Sequence, residues 1–103
     1  DIGRGQAKEF IPQAIKTTCS LGGKYYGQEK NEKSLECIEH VLEMDPKCST
    51  ALTWKGRLLL RFEKPEESLK YCREAIELDP KSAMAFHGKG NALRKMGKFE
   101  EAL

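Results

Sequence analysis

The side chains of this sequence that could hold a metal or act as nucleophiles are Cys19, Cys37, Cys48 and Cys72, with His40 and His87. Common zinc sites need cysteines two to four residues apart, or a comparable cysteine–histidine spacing. Here the cysteines are separated by 18, 11 and 24 residues and neither histidine stands at a ligand spacing, so no metal and no other cofactor is expected. Cys37 and Cys72 fall in apolar columns of helical segments, where a free thiol behaves as a small hydrophobe. Thiols without evident partners point to a reducing compartment, and the expected location is the cytoplasm. The sequence has no Gly-rich phosphate loop and no carboxylate pair set in an apolar stretch. His40 and His87 likewise lack partners that spacing identifies, and the chain is read as non-catalytic.

Any function must then rest on the elements that present the charged side chains. The 103 residues, 39% hydrophobic and 33% charged, support one domain with one core. No apolar run approaches the ~18–20 residues a membrane-spanning helix needs, so no membrane association is expected. Within that length the sequence repeats. Pro12, Pro46 and Pro80 are spaced by 34, as are Gly22, Gly56 and Gly90, and Asp45 pairs with Asp79 on the same interval. Apolar residues between these marks recur at three and four, the helical period. One helix is expected from about Lys16 to Gln28, with Glu29 to Asn31 as turn and Asn31 capping the next helix, which runs to about Met44 with Leu35, Ile38, Val41 and Leu42 inward. Asp45-Pro46 ends it, because proline disfavours the α conformation in the residue before it. The next pair of helices carries Leu52, Gly56, Leu59 and Phe62, then Leu69, Cys72, Ala75, Ile76 and Leu78, with Pro65 at a helix start where its missing N–H needs no partner. Ser82 is the expected cap of a helix over 83–96, and the short stub Phe99 to Leu103 follows. A glycine that returns at 22, 56 and 90 inside helices implies close approach of a neighbouring helix.

The units Thr18-x-x-Leu21-Gly22-x-x-Tyr25, Leu52-x-x-Lys55-Gly56-x-x-Leu59 and Phe86-x-x-Lys89-Gly90-x-x-Leu93, each followed by a small residue, and in the first two by an Ala or Val and Asp-Pro, resemble the tetratricopeptide repeat. Asn31 and Pro65 depart from the aromatic that the family usually has near the start of its second helix, and only Phe99 conforms. The resemblance implies an all-α fold: an α-solenoid of antiparallel helix–turn–helix units in a right-handed superhelix. It divides the single domain 1–103 into a degenerate remnant of a preceding repeat (1–14), repeats at 15–48 and 49–82, and a partial repeat at 83–103. The expectation is a piece of a longer array.

Charge is segregated between the two helix types. First-type helices hold Lys16, Lys24, Lys55, Arg57, Arg61, Lys89, Arg94 and Lys95 against Glu29, whereas the second-type helices hold eight glutamates between Glu32 and Glu77. The family's first-type helices line its concave groove, so the resemblance implies a basic groove. The residues expected there for a partner are Lys16, Tyr26, Thr53, Arg57, Leu60, Arg61, Met84, His87, Asn91, Arg94 and Lys95, with Cys19, Gly23 and Thr50 beside them. Arg57 and Arg61, four apart and so on one helical face, are expected to dominate, with neither in the core. Trp54, next to this stripe, is expected to pack between repeats. The function read here is a non-catalytic interaction module binding a peptide or partner segment, acidic in character. Two alternatives are an appendage of a larger enzyme or co-chaperone, of the prolyl isomerase, phosphatase or sugar transferase type, and a self-associating scaffold joined through the open C-terminal repeat beyond Phe86, Phe99 and Leu103. A net charge of +2 makes only a modest field, and no nucleic acid is expected. The carboxylate clamp of some co-chaperone members needs Lys, Asn and Arg at columns occupied here by Cys19, Gly23, Trp54, Met84 and Gly88. Recognition of chaperone tails by that clamp is not expected.

Overall fold

Two kinds of turn, alternating along the chain, set the helices. The computed structural model describes the backbone of residues 2–97 and the side chains of 13–97. It contains α1 (Ile2–Gly27), α2 (Asn31–Met44), α3 (Ser49–Arg61), α4 (Pro65–Leu78) and α5 (Ala83–Lys95), and no strand among the described residues. The fold is an all-α helical repeat. In the first kind of turn Lys30 N–H donates to Tyr25 O, and 34 residues on Lys64 N–H donates to Leu59 O, each at 2.9 Å. This is the bond that closes a Schellman-type helix end. It forces the penultimate turn residue into the left-handed region: Glu29 and Glu63 both have φ 60°, and the same column in the third repeat holds Gly97 at φ 78°. In the second kind, Asp45 Oδ1 accepts from Lys47 N–H and Asp79 Oδ1 from Lys81 N–H, both at 3.2 Å. Ser82 Oγ then accepts from Ala85 N–H at 3.2 Å, capping α5.

The break expected between the remnant 1–14 and the helix from about Lys16 does not form, and α1 is one helix from Ile2 to Gly27. The chemistry of the second kind of turn accounts for this. In register with Asp45, Cys48 and Ser49 the chain has Ile11, Ala14 and Ile15. Ile11 has no side-chain oxygen to accept from the chain two residues on, as Asp45 does, so one proline alone does not end the helix. Asn31 does not cap α2 either. It is the first helical residue, Lys30 occupies the cap without a side-chain bond, and the Asn31 amide is used elsewhere. The stub Phe99 to Leu103 lies outside the described residues.

Packing is by nearest neighbours, as in other repeat arrays. Each helix packs on the next, and α3 also touches both α1 and α5, whereas no Cα of α2 comes within 8 Å of α4. The first-type helices thus form a continuous layer, on the inner side. Between α1, α2 and α3 the core consists of Cys19, Ile38, Val41, Ala51 and Leu58. It continues through Leu52, Ala75 and Ala85 to Leu69, Ala92 and Leu93. Leu78, expected inward, is 45% exposed, while Leu58, absent from the expected stripe, is fully buried.

The recurring glycines serve close approach where the described residues allow a test. A Cβ on Gly22 would lie 2.8 Å from Ile38 Cδ1, and one on Gly56 would lie 2.6 Å from Cys72 Sγ and 3.2 Å from Ser68 O. The buried serine opposite each glycine uses the proximity: Ser34 Oγ donates to Gly22 O at 2.7 Å, and Ser68 Oγ to Gly56 O at 2.5 Å.

Candidate functional site

The inner layer carries two hollows. The first, about 540 Å³, is lined by Tyr26 of α1, Arg57, Leu60 and Arg61 of α3, Glu63 of the following turn, and Asn91, Arg94 and Lys95 of α5. Its best-anchored member is Arg61. The guanidinium carbon stands 3.3 Å from the Tyr26 ring centroid, and Nη1 donates to Tyr26 O at 2.6 Å and to Asn31 Oδ1 at 2.9 Å. Asn31, drawn from the cap role, therefore helps aim an arginine. Arg57 lies 4.9 Å from the Tyr26 centroid and 5.1 Å from that of Trp54, and those two rings stand 5.0 Å apart at 57°. Each such cation–π contact contributes roughly 0.5–1 kcal/mol at an exposed site. Arg94 Nη1 donates to Asn91 Oδ1 at 3.0 Å.

Four cations face this hollow against one carboxylate, Glu63. None of the four makes an ion pair among the described residues, where the pairs are His40–Glu43 at 3.8 Å and Lys55–Glu39 at 2.7 Å. Lys55 shows the contrast. Although on α3, it turns away from the groove to Glu39 of α2 and stands 4.5 Å over the Tyr71 ring. Burial pulls its ammonium down, but hydrogen bonds to Glu39 and Tyr71 outweigh that and hold it above the ordinary lysine value.

The second hollow, about 530 Å³, is more apolar and is lined by residues including Lys16, Cys19, Gly23, Cys48, Trp54 and Met84. Four of the five clamp columns, Cys19, Gly23, Trp54 and Met84, meet here, and Gly88 is buried in α5 against Cys72 of α4. Trp54 fills the space over Gly23, where a Cβ would lie 3.0 Å from its ring, so it packs α3 against α1. Cys19 and Cys48 face each other in this hollow. Burial, reinforced by Cys48, pushes the Cys19 thiol up to about 11. Burial likewise raises Cys72, against smaller opposing effects of Ser68 and Arg57.

Of the eleven side chains expected to meet a partner, seven line the first hollow and two, Lys16 and Met84, the second. His87 is exposed but lines neither. Thr53 is a correction: it is 2% exposed and its hydroxyl donates to Ser49 O at 2.8 Å, so it belongs to the packing of α3. Glu63 and Asn31 were not foreseen. Glu63 stands one period after Glu29, in the turn that follows α3, and no spacing in the sequence marks it as a groove residue. Among the described residues no group of three His, Cys, Asp or Glu side chains is placed to hold a metal, and no helix is long and apolar enough to cross a membrane.

The fold defines an all-α helical-repeat protein. The chain belongs to the tetratricopeptide repeat family, whose model matches residues 21–83, with a second model of the same description over 71–103. No curated protein matches it in sequence. Among solved structures it is similar to the second such domain of Spaghetti (RPAP3) bound to the HSP90 peptide SRMEEVD, with 29% identity, a TM-score of 0.81, and coverage of 94% of this chain and 89% of that one. It is also similar to the second domain of human RPAP3 in complex with the HSP70 peptide SGPTIEEVD, at 26% identity and a TM-score of 0.77, over 89% and 77% of the two chains. The Pseudomonas aeruginosa protein pilF, at 22% identity, a TM-score of 0.81 and coverage of 89% and 41%, shares the fold.

Proposed function

We propose that this chain is a non-catalytic interaction module that holds an acidic peptide or partner segment along α1, α3 and α5. The observation that carries the reading is the first hollow: Arg57, Arg61, Arg94 and Lys95 around one cavity, with Glu63 the one carboxylate among its lining. Cations gathered on an inner face in excess over counter-charges raise the local concentration of anionic partners and speed their encounter. The two RPAP3 domains, whose structures hold peptides ending in EEVD, support a peptide-holding role for the same architecture. The position of the ligand differs in this reading. The clamp columns here form an apolar hollow, and the cations lie further along α3 and α5, so SRMEEVD is a negative control and an acidic internal segment the expected ligand. A reducing, cytoplasmic setting suits the thiols. Phe86, 47% exposed on α5, favours self-association as a second reading.

The test is an array of peptides varied in Asp and Glu content, followed by calorimetric titration of the best binder across a salt series. Arg57→Glu with Arg94→Glu should weaken binding by at least about tenfold, as lost charge-assisted bonds do. Wild-type affinity should fall with salt. Affinity unchanged by the double substitution, or insensitive to salt, would overturn the reading. Sedimentation of wild type and Phe86→Ser decides the second one: equal masses at high concentration remove it.

A further inference from the structure

Resting on the acidic-ligand reading of the groove, we propose that its anion is a phosphomonoester dianion, carried by a phosphorylated serine or threonine of an extended peptide. Charge comes first. Arg57, Arg61, Arg94 and Lys95 against Glu63 leave three positive charges around one cavity. A carboxylate offers one negative charge on two oxygens, whereas a phosphomonoester offers about 1.5 to 2 at neutral pH on three oxygens.

Donor geometry agrees. Both hydrogens of Arg61 Nη1 are committed, to Tyr26 O and Asn31 Oδ1, while the ring of Tyr26 supports the guanidinium at 3.3 Å. What remains is the Nε–Nη2 edge, a two-donor fork already held in place and suited to two oxygens of one phosphate. On the facing helix Asn91 Oδ1 accepts from Arg94 Nη1, which leaves the Asn91 amide nitrogen as a further donor in the same cavity. Arg57 and Lys95 add donors from α3 and α5. The set exceeds what one carboxylate can accept. A volume of about 540 Å³ is larger than a phosphate requires, and Leu60 and Tyr26 give an apolar wall for the residue that bears it.

The experiment is an NMR titration of the ¹⁵N-labelled chain at constant ionic strength with three probes: N-acetyl-phosphoserine-N-methylamide, N-acetyl-glutamate-N-methylamide and inorganic phosphate. At pH 7.5 the phosphoserine compound should bind at least about fivefold more tightly than the glutamate compound, the effect of one additional partly screened charge pair. It should move the Asn91 side-chain amide. The preference should shrink at pH 5.5, where the phosphate, with a second pKa of about 6, becomes a monoanion. Arg94→Gln should abolish the preference while the rest of the spectrum keeps its dispersion. Equal affinity for the phosphoserine and glutamate compounds would overturn the phosphate assignment and leave the acidic groove standing. Inorganic phosphate binding as tightly as the phosphoserine compound would overturn the peptide assignment. No shift at Asn91 with any probe would remove both.

Discussion

Arg61 and Tyr26 are joined twice: the guanidinium stands 3.3 Å from the ring centroid, and the same group donates to the Tyr26 carbonyl at 2.6 Å. With the bond to Asn31, one exposed side chain ties the end of α3 to the turn between α1 and α2. Arg61 lies outside the core, yet these contacts give it a structural role beside its place in the hollow. Arg61→Ala should destabilise the domain by about 1–2 kcal/mol, combining lost hydrogen bonds and cation–π contact at a solvent-exposed site. Arg57→Ala, which loses cation–π contacts but no hydrogen bond, should cost less, about 0.5–1 kcal/mol. Thermal unfolding of both variants checks this, and equal melting temperatures would show that the tether contributes nothing.

Gly56→Ala sets helix propensity against packing. Alanine gains about 1 kcal/mol inside a helix. Its Cβ, however, would meet Cys72 Sγ at 2.6 Å and the Ser68 backbone at 3.2 Å. Overpacking of this kind costs about 1–3 kcal/mol. Since backbone cannot swing aside as a side-chain tip can, the clash should win and urea unfolding should move to lower concentration. Gly27→Ala, with nothing within 4 Å of the new methyl, should be neutral or slightly stabilising.

Glu63→Gly should raise stability by about 0.5–1 kcal/mol. A non-glycine residue in the left-handed region carries roughly 1–2 kcal/mol of strain, part of which the greater freedom of glycine in the unfolded chain cancels. Gly97 already occupies the equivalent place, so Gly97→Ala should lower stability by a similar amount. Differential scanning calorimetry of the two variants should give shifts of opposite sign.

Cys19 should alkylate more slowly than Cys48 at pH 8, because its pKa of about 11 keeps it a thiol. The same shift has a sign for stability. Between 9.0 and about 11 the folded state holds a proton that the unfolded state has lost, so unfolding becomes easier as pH rises through that window. Cys19→Ser should flatten this part of the stability profile. A steepened profile, or faster labelling of Cys19 than Cys48 by peptide mass mapping, would contradict the burial assigned to it.

Where the sequence names its own helix ends, the reading was sound: Asp45, Pro65, Asp79 and Ser82 each act locally, through a backbone bond or a missing donor. Pro12, preceded by Ile11, has no such partner and ends no helix. Inner faces were harder. A first-type helix touches its own partner and the first-type helices before and after it, so its buried arc is wider than one stripe. Thr53 and Leu58 fall inside that arc, while Leu60, two residues on, opens to the groove. The orientation of Arg61 depends on Tyr26 and Asn31, 35 and 30 residues away, and such a contact leaves no periodic trace.

Because α3 touches both α1 and α5 while α2 and α4 do not meet, the inner layer is continuous and the outer one is not. A change of angle between successive repeats would alter the distance between Arg61 of α3 and Arg94 of α5 across the hollow that both line. A ligand gripping both would therefore stiffen the curvature of the whole array, and pulling on the array would loosen the ligand.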